Sequence, residues 1–161
     1  MARVFVGIGS NVSPGVYIRR AIDALTLICS NCISSRIFLS EAVGGSTGTF
    51  ANLVFGGTTS LAVNEFVAAL KAIEKANGRG PDHQTIDLDL LLYDDLVLNN
   101  RSVRVPREDI ERYVFVLKPL AEIEPEFIHP ITGISIGQMW RRSKMDDSGL
   151  TEVSLEALEQ Q

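Results

Sequence analysis

The stretch Thr85-Ile86-Asp87-Leu88-Asp89-Leu90-Leu91-Leu92-Tyr93 places two carboxylates two residues apart inside a run of Leu and Ile. A short apolar run of this kind reads as a buried strand, where a charge is costly unless something pairs with it. Residues i and i+2 of a strand share a face. Asp87 and Asp89 are therefore expected side by side at one spot, with Ile86, Leu88 and Leu90 turned the other way into a core. Two like charges held this close need a counter-cation, a shared proton or exposure to water. A hard divalent cation bound through oxygen is one answer. A solvated strand end is the other, and the stretch by itself leaves both open.

The chain has 161 residues, enough for one domain with a sizeable core. Its 45% hydrophobic and 22% charged residues are those of a soluble globular protein. A net charge of -5 argues against broad nucleic-acid binding, which wants a basic surface. No apolar run approaches the roughly 18–20 residues that cross a bilayer, so no membrane partner is expected. Met1-Ala2-Arg3-Val4 does not open a basic region followed by a long apolar stretch and a cleavage site, so a cytoplasmic location is expected. Cys29 and Cys32 form a C-x-x-C pair. A redox pair or half a zinc site would be the sharp readings, but only His83 and His129 remain as further soft ligands. Two small apolar residues at a helix-to-strand joint is the plainer reading.

In chain order, residues 2–8 alternate as a strand, with Val4, Val6 and Ile8 on one side. Gly9-Ser10-Asn11 is expected to break it. Ser13 is a candidate cap and Pro14 a first residue for a helix over 14–28, carrying Ile18, Ala21, Ile22 and Leu25 at helical spacing. Residues 33–40 read as a second strand, 41–49 as a glycine-rich connection without the Gly-Lys-Ser/Thr of a P-loop, and 50–58 as a third strand with Asn52 as a polar inward candidate. Ser60 is expected to cap a helix over 61–77 that Asn77-Gly78 stops. Strand, helix, strand, strand, helix, strand is the βαββαβ order of a ferredoxin-like α+β sandwich, with helices on one face of an antiparallel sheet and the other face able to hold a ligand. Extra C-terminal elements follow: short extended pieces near 96–100 and 103–106, and helices over 106–111 and 114–123. The domain is expected over 1–144, with 145–161 a polar tail forming a surface helix or fraying.

Several stretches, in order, resemble the 6-hydroxymethyl-7,8-dihydropterin pyrophosphokinase family. They are Gly9-Ser10-Asn11, Ser40-Glu41-Ala42-Val43-Gly44, Phe50-Ala51-Asn52, Ile73-Glu74 with Gly78-Arg79, Thr85-Ile86-Asp87-Leu88-Asp89, Val105-Pro106, and Phe115-Val116-Leu117-Lys118-Pro119-Leu120-Ala121-Glu122-Ile123. The acidic strand and the last block, at their separation, are specific in combination. The family's fold agrees with the order read from periodicity.

The resemblance implies transfer of pyrophosphate from ATP to the pterin's hydroxymethyl group with release of AMP, in folate biosynthesis, by a monomer. It implies two Mg²⁺ ions on Asp87 and Asp89, bridging phosphates that carry dense negative charge. Ser40, Val43, Phe50, Asn52 and Phe115 match pterin-side positions: an amide suits the ring's polar edge and an aromatic its flat face. Glu74, Arg79 and Arg107 match the ATP side, and Arg79, Arg107 and Arg112 are the candidates for stabilising charge in transfer. The chain departs from the family's pattern on that side. The segment Gly80-Pro81-Asp82-His83-Gln84 is short, Gln84 stands where an Arg precedes the Thr, Arg107 where a His is common, Tyr113 at a usual Arg position, and Leu39 in place of a polar residue. These departures leave two alternatives: a slow or non-catalytic pterin- or nucleotide-binding paralogue, and a pyrophosphokinase for a different alcohol.

Overall fold

The computed structural model describes residues 1–41, 48–81 and 85–161. Strand β1 (Ala2–Ser10) organises it, because its two faces feed two cores. Val4, Val6 and Ile8 enter one core, while Phe5 enters the other. Gly9 and Ser10 do not break the strand as expected: Gly9 sits opposite Asn52 and Ser10 opposite Ala51. Their ladder partners hold them extended where local glycine propensity would not.

Helix α1 (Pro14–Ile28) has the expected bounds and buries Ile18, Ala21 and Leu25. Ser13 precedes it in the left-handed region, at φ 41°, and its side chain makes no capping bond. The expected side-chain cap is replaced by the Ser13 carbonyl, which accepts from the Val16 and Tyr17 amides. The expected strand over 33–40 is two strands, β2 (Ser30–Ser34) and β3 (Ile37–Glu41), both paired with β4 (Thr49–Thr59). Between them, Ser35 donates its amide to the Val54 carbonyl and accepts the Val54 amide on Oγ, so a side chain substitutes for the ladder. Helix α2 (Val63–Ala76) starts later than expected, because the Glu65 carboxylate turns back onto the Ala62 amide at 3.0 Å and takes the capping role assigned to Ser60. Asn77 and Gly78, at φ 77°, close it as anticipated. Strand β5 (Asp87–Tyr93) completes the core motif.

The sheet order is β5-β1-β4-β3, antiparallel throughout, with β8 (Thr151–Val153) added outside β3. This is the ferredoxin-like arrangement expected from periodicity. Helices α1 and α2 cover one face through Ile18, Leu25, Phe66 and Leu70. The second face is not left open: α3 (Asp109–Arg112), α4 (Val114–Ile123) and α5 (Ile136–Arg142) pack on Phe5, Val54, Leu91 and Leu92. A small hairpin of β6 (Leu98–Asn99) and β7 (Arg104–Val105) lies beside β5 and sends Val103 and Val105 into the first core. The two cysteines are free, Cys29 half-buried at the end of α1 and Cys32 exposed in β2. No helix among the described residues is long and apolar enough to cross a membrane.

Residues 145–161, read as a polar tail, carry β8 and helix α6 (Leu155–Glu159). Glu152 and Glu122 both pair with Arg36, Glu159 pairs with Arg19 of α1, and Leu158 is buried in the first core. Ser154 caps α6 by accepting from the Ala157 amide. The segment is polar because only one side of a short strand and a short helix is covered. Gly15 is where α1 and α6 meet. A Cβ there would lie 2.5 Å from the Leu158 carbonyl carbon and 2.6 Å from the Glu159 nitrogen, both backbone atoms. Gly15→Ala should therefore cost roughly 1–3 kcal/mol by overpacking, seen as a lower melting temperature. In a chain shortened after Val153 the same substitution should be neutral or mildly stabilising, since Ala is the better helix former by about 1 kcal/mol. Equal losses in both backgrounds would place the clash somewhere other than α6.

Candidate active site

The acid pair lies on the outermost strand of the sheet. Register sets Asp87 opposite Gly9 and Asp89 opposite Gly7 of β1, and Gly9 opposite Asn52 of β4. With no side chains on Gly7 and Gly9, the sheet has a low floor between the carboxylates and Asn52. Gly9 is needed for this: a Cβ there would lie 3.2 Å from Asn52 Oδ1. Beyond Asp89 the ladder bulges. Val6 faces Leu90 and Phe5 faces Leu92, so Leu91 is the extra residue. Its carbonyl accepts the Arg107 amide at 2.9 Å, which fixes Arg107 beside the acid pair.

Each aspartate meets an arginine. Arg79 pairs with Asp87 at 2.6 Å and also with Glu74, whose other contact is the Leu88 amide at 2.9 Å. Arg107 lies 3.4 Å from Asp89 and 3.3 Å from Asp109. The pairing is incomplete for Asp89. Burial, reinforced by the neighbouring Asp87 charge, pushes its carboxyl up to about 7 against the pull of Arg107. Burial likewise raises Glu74, against the Leu88 amide and Arg79.

Two cavities meet at this pair. The first, of about 310 Å³, has Gly7, Gly9 and Asn52 along its floor and Tyr113, Phe115 and Val116 along its opposite side. Ser40 and Phe50 line one end, and Asp87, Asp89 and Asp109 the other. Asn52 is oriented by donating from Nδ2 to Ser40 Oγ at 2.8 Å. Tyr113 and Phe115 stack with centroids 5.0 Å apart and planes 14° from parallel. A slot with aromatic walls and a buried amide suits a flat ring with a hydrogen-bonding edge. The second cavity, of about 330 Å³, runs along the open edge of β5 between α2 and the hairpin. Glu74, Arg79, Asp87, Asp89, Lys71, Arg101, Arg104 and Arg107 line it. Its cationic groups suit a polyanion.

The structure thus brings Ser40, Phe50, Asn52 and Phe115 into one cavity and Glu74, Arg79 and Arg107 into the other, with Asp87 and Asp89 in both. Val43 lies outside the described residues. Arg112 is not brought to the site. Its guanidinium pairs with Glu108 at 2.9 Å on the outside of α3, while the following residue, Tyr113, faces the slot. One residue along a chain entering a helix is enough to turn a side chain from cavity to solvent. Lys71, Arg101, Arg104, Asp109 and the glycine floor escaped sequence reasoning. Two signals were present: Phe5, Gly7 and Gly9 alternate with the apolar face of β1, and Arg101, Arg104 and Arg107 recur every third residue.

Comparison with known proteins places this architecture. The family model described as 7,8-dihydro-6-hydroxymethylpterin-pyrophosphokinase (HPPK) matches residues 5–125. A 2-amino-4-hydroxy-6-hydroxymethyldihydropteridine pyrophosphokinase of Aquifex aeolicus is 39% identical over 139 residues, 81% of this chain and 86% of the relative. The protein of the same name from Pseudomonas aeruginosa is 33% identical over 136 residues, 80% of this chain and 84% of its own. A crystal structure of Plasmodium falciparum HPPK-DHPS superposes with a TM-score of 0.72 at 10% identity, covering 94% of this chain and 47% of that one. The chain therefore spans about half of that solved structure, and at such low identity the superposition speaks for the fold alone. On the family model and the bacterial relatives together, the chain belongs to the 7,8-dihydro-6-hydroxymethylpterin-pyrophosphokinase family.

Proposed function

We propose that this chain is an ATP-dependent diphosphotransferase that moves pyrophosphate from ATP to 6-hydroxymethyl-7,8-dihydropterin and releases AMP, in folate biosynthesis. The observation that carries the reading is the position of Asp87 and Asp89 as the common wall of an aromatic slot and a cation-lined cavity. The pterin lies in the slot against Phe115, with Asn52 and Ser40 reading its polar edge and Phe50 closing the end. ATP lies in the second cavity, its phosphates toward Arg79 and Arg107. The hydroxymethyl oxygen attacks the β-phosphorus across the wall, the bond from that phosphorus to the α-side bridging oxygen breaks, AMP leaves with that oxygen, and the hydroxyl proton is released to solvent. Holding both partners at one wall supplies proximity, which dominates reactions of this kind.

The donor set fits Mg²⁺. Asp87 and Asp89, side by side on one face of β5 and shared by both cavities, offer two hard carboxylates. Mg²⁺ commonly takes one or two carboxylates and completes its shell with water and substrate phosphates. Asp87 and Asp89 would hold it, and when bound it supplies positive charge to the transferred phosphates. Without it, Arg79 and Arg107 neutralise the same carboxylates.

Purified protein supplied with ATP, Mg²⁺ and the pterin should release AMP and diphosphorylated pterin in equal amounts. Asp87→Ala and Asp89→Ala should each lower kcat by roughly 10²–10³-fold or more, the range for removing one preorganised electrostatic partner of a transition state. Pterin binding without any AMP release at high enzyme would instead favour the non-catalytic paralogue, and rapid transfer to another alcohol the altered acceptor.

The raised Asp89 carboxyl gives a second test. In the unfolded chain this group ionises near its ordinary value of about 4, and in the folded protein near 7. Its contribution to stability is thus full below about 4 and is lost as pH rises toward 7. Without Mg²⁺, Asp89→Asn should melt above wild type at pH 8, with the gap narrowing toward pH 4. Saturating Mg²⁺ should shrink the gap at pH 8 by stabilising wild type alone. A gap independent of pH would show that Asp89 is ionised throughout.

A further inference from the structure

Each carboxylate of the acid pair is met by an arginine that has a second carboxylate of its own. Arg79 touches Asp87 and Glu74, and Arg107 touches Asp89 and Asp109. The two sets differ in tightness. Arg79 Nη1 donates to Asp87 at 2.6 Å and also to Glu74. Arg107 is stretched between its partners: Nη2 lies 3.4 Å from Asp89 Oδ1, and Nε lies 3.3 Å from Asp109 Oδ2. Nε is buried, yet among the described residues its proton has no aligned acceptor. A guanidinium usually satisfies a carboxylate with short, parallel bonds, and a buried donor without one is unfavourable. Arg107 is thus poised between two acceptors and fully bonded to neither.

The backbone around the second acceptor is fixed. The Arg107 amide donates to the Leu91 carbonyl at 2.9 Å, and the Ile110 amide returns to the Arg107 carbonyl at 3.2 Å. Ile110 is fully buried in the second core. Asp109 sits between these anchors, so its carboxylate stays within reach of Arg107 whatever occupies Asp89. Asp109 looks into the aromatic slot, Arg107 lines the cation-rich cavity, and Asp89 belongs to both. The row Asp89, Arg107, Asp109 therefore crosses the partition between the cavities. A divalent cation arriving at Asp89 brings positive charge to the carboxylate that Arg107 already faces, and the two cations repel. Arg107 cannot shed its charge to make room, because a guanidinium stays protonated in proteins. It has to move, and the nearest carboxylate is Asp109.

We propose that Asp109 is a positioning residue that takes Arg107 over from Asp89 when a divalent cation occupies the acid pair. The proposal rests on reading Asp87 and Asp89 as the Mg²⁺ carboxylates. In the metal-free protein Arg107 is shared. With the cation bound, a small rotation of a guanidinium already 3.3 Å away brings Nε into line with Asp109. Asp89 is then free for the metal, and Arg107 stays at the site instead of leaving for solvent. The cost of displacing the counter-ion from Asp89 is offset by the hydrogen bond gained at Asp109. Asp109 needs no contact with the cation to do this.

The test uses the full chain at pH 8 with Mg²⁺ alone. In the wild type, NMR follows the carboxyl signals of Asp87 and Asp89 and the Arg107 Nε–H signal, the latter identified by its absence in Arg107→Lys. As Mg²⁺ shifts the carboxyl signals, the Arg107 proton should move downfield and exchange more slowly with water. An Arg107 signal that stays put while the carboxyl signals move overturns the proposal. Carboxyl signals that do not respond would strike the metal reading itself, so the two failures are distinct. Calorimetric titration of Mg²⁺ into the variants gives a second measurement. Asp109→Asn should weaken Mg²⁺ binding by about tenfold, a charge-assisted hydrogen bond's worth, and Asp109→Glu should recover part of the loss. Arg107→Gln should bind Mg²⁺ at least as tightly as wild type, and adding Asp109→Asn to it should make less than about a twofold difference. Equal weakening in both backgrounds would mean that Asp109 acts by its negative charge alone, and no weakening in either would remove it from the site; both outcomes overturn the proposal. If a variant does not fold, the wild-type spectrum decides.

Discussion

The rest of the structure depends on one electrostatic problem, two carboxylates side by side at the edge of an apolar sheet. Like charges so close in a partly desolvated place are unfavourable unless opposing charge is near. The fold answers with one arginine from each direction. Arg79 comes from the end of α2 and Arg107 from the turn that leads into α3. Both are placed by backbone rather than by the ion pairs themselves. Arg79 follows the helix stop at Gly78, its amide donating to the Glu74 carbonyl, and the Arg107 amide is held by Leu91. The residual strain is visible in Asp89, whose carboxyl stays near 7 because burial and Asp87 together outweigh Arg107. A site that binds a divalent cation well is expected to be one in which its own charges are poorly satisfied without that cation.

Much of this was legible before any coordinates. The αβ order, the bounds of α1 and α4, and the common direction of Asp87 and Asp89 follow from spacings of two and three to four residues. Local signals failed where a distant partner decides the outcome. Gly9 and Ser10 look like a strand break but are held by β4 on one side, with Gly9 also held by β5 on the other. The single strand expected over 33–40 is interrupted at Ser35 because Val54 can bond to its side chain. Residues 145–161 look like a tail because their partners, Arg19, Arg36 and Gly15, lie more than a hundred residues away.

The candidate site shows the same division. Residues that carry a distinctive side chain in a distinctive stretch, such as Asn52, Glu74 and Phe115, were found. Residues that contribute by being small, or by facing a cavity built from several elements, were not. Gly7 offers nothing to a motif search, yet it helps form the floor on which a ring could lie. Arg112 and Tyr113 are neighbours, and only the path of the chain into α4 decides which one looks inward.

The bulge at Leu91 has a consequence for how faithfully the chain can fold. A strand on the rim of a sheet has one neighbour and can slide along it, and a slip of one residue would turn every side chain over. For β5 that error would drive Asp87 and Asp89 among Ile18, Leu25 and Phe66 and bring Leu88 and Leu90 out toward the slot. With Leu91 as the extra residue, Leu91 and Leu92 both enter the second core, and only one alignment lets both do so. The misaligned chain would therefore lose oily contacts on one side of the sheet while burying acid on the other. The accuracy with which the two carboxylates are delivered is set by greasy residues downstream of them that touch neither cation nor substrate.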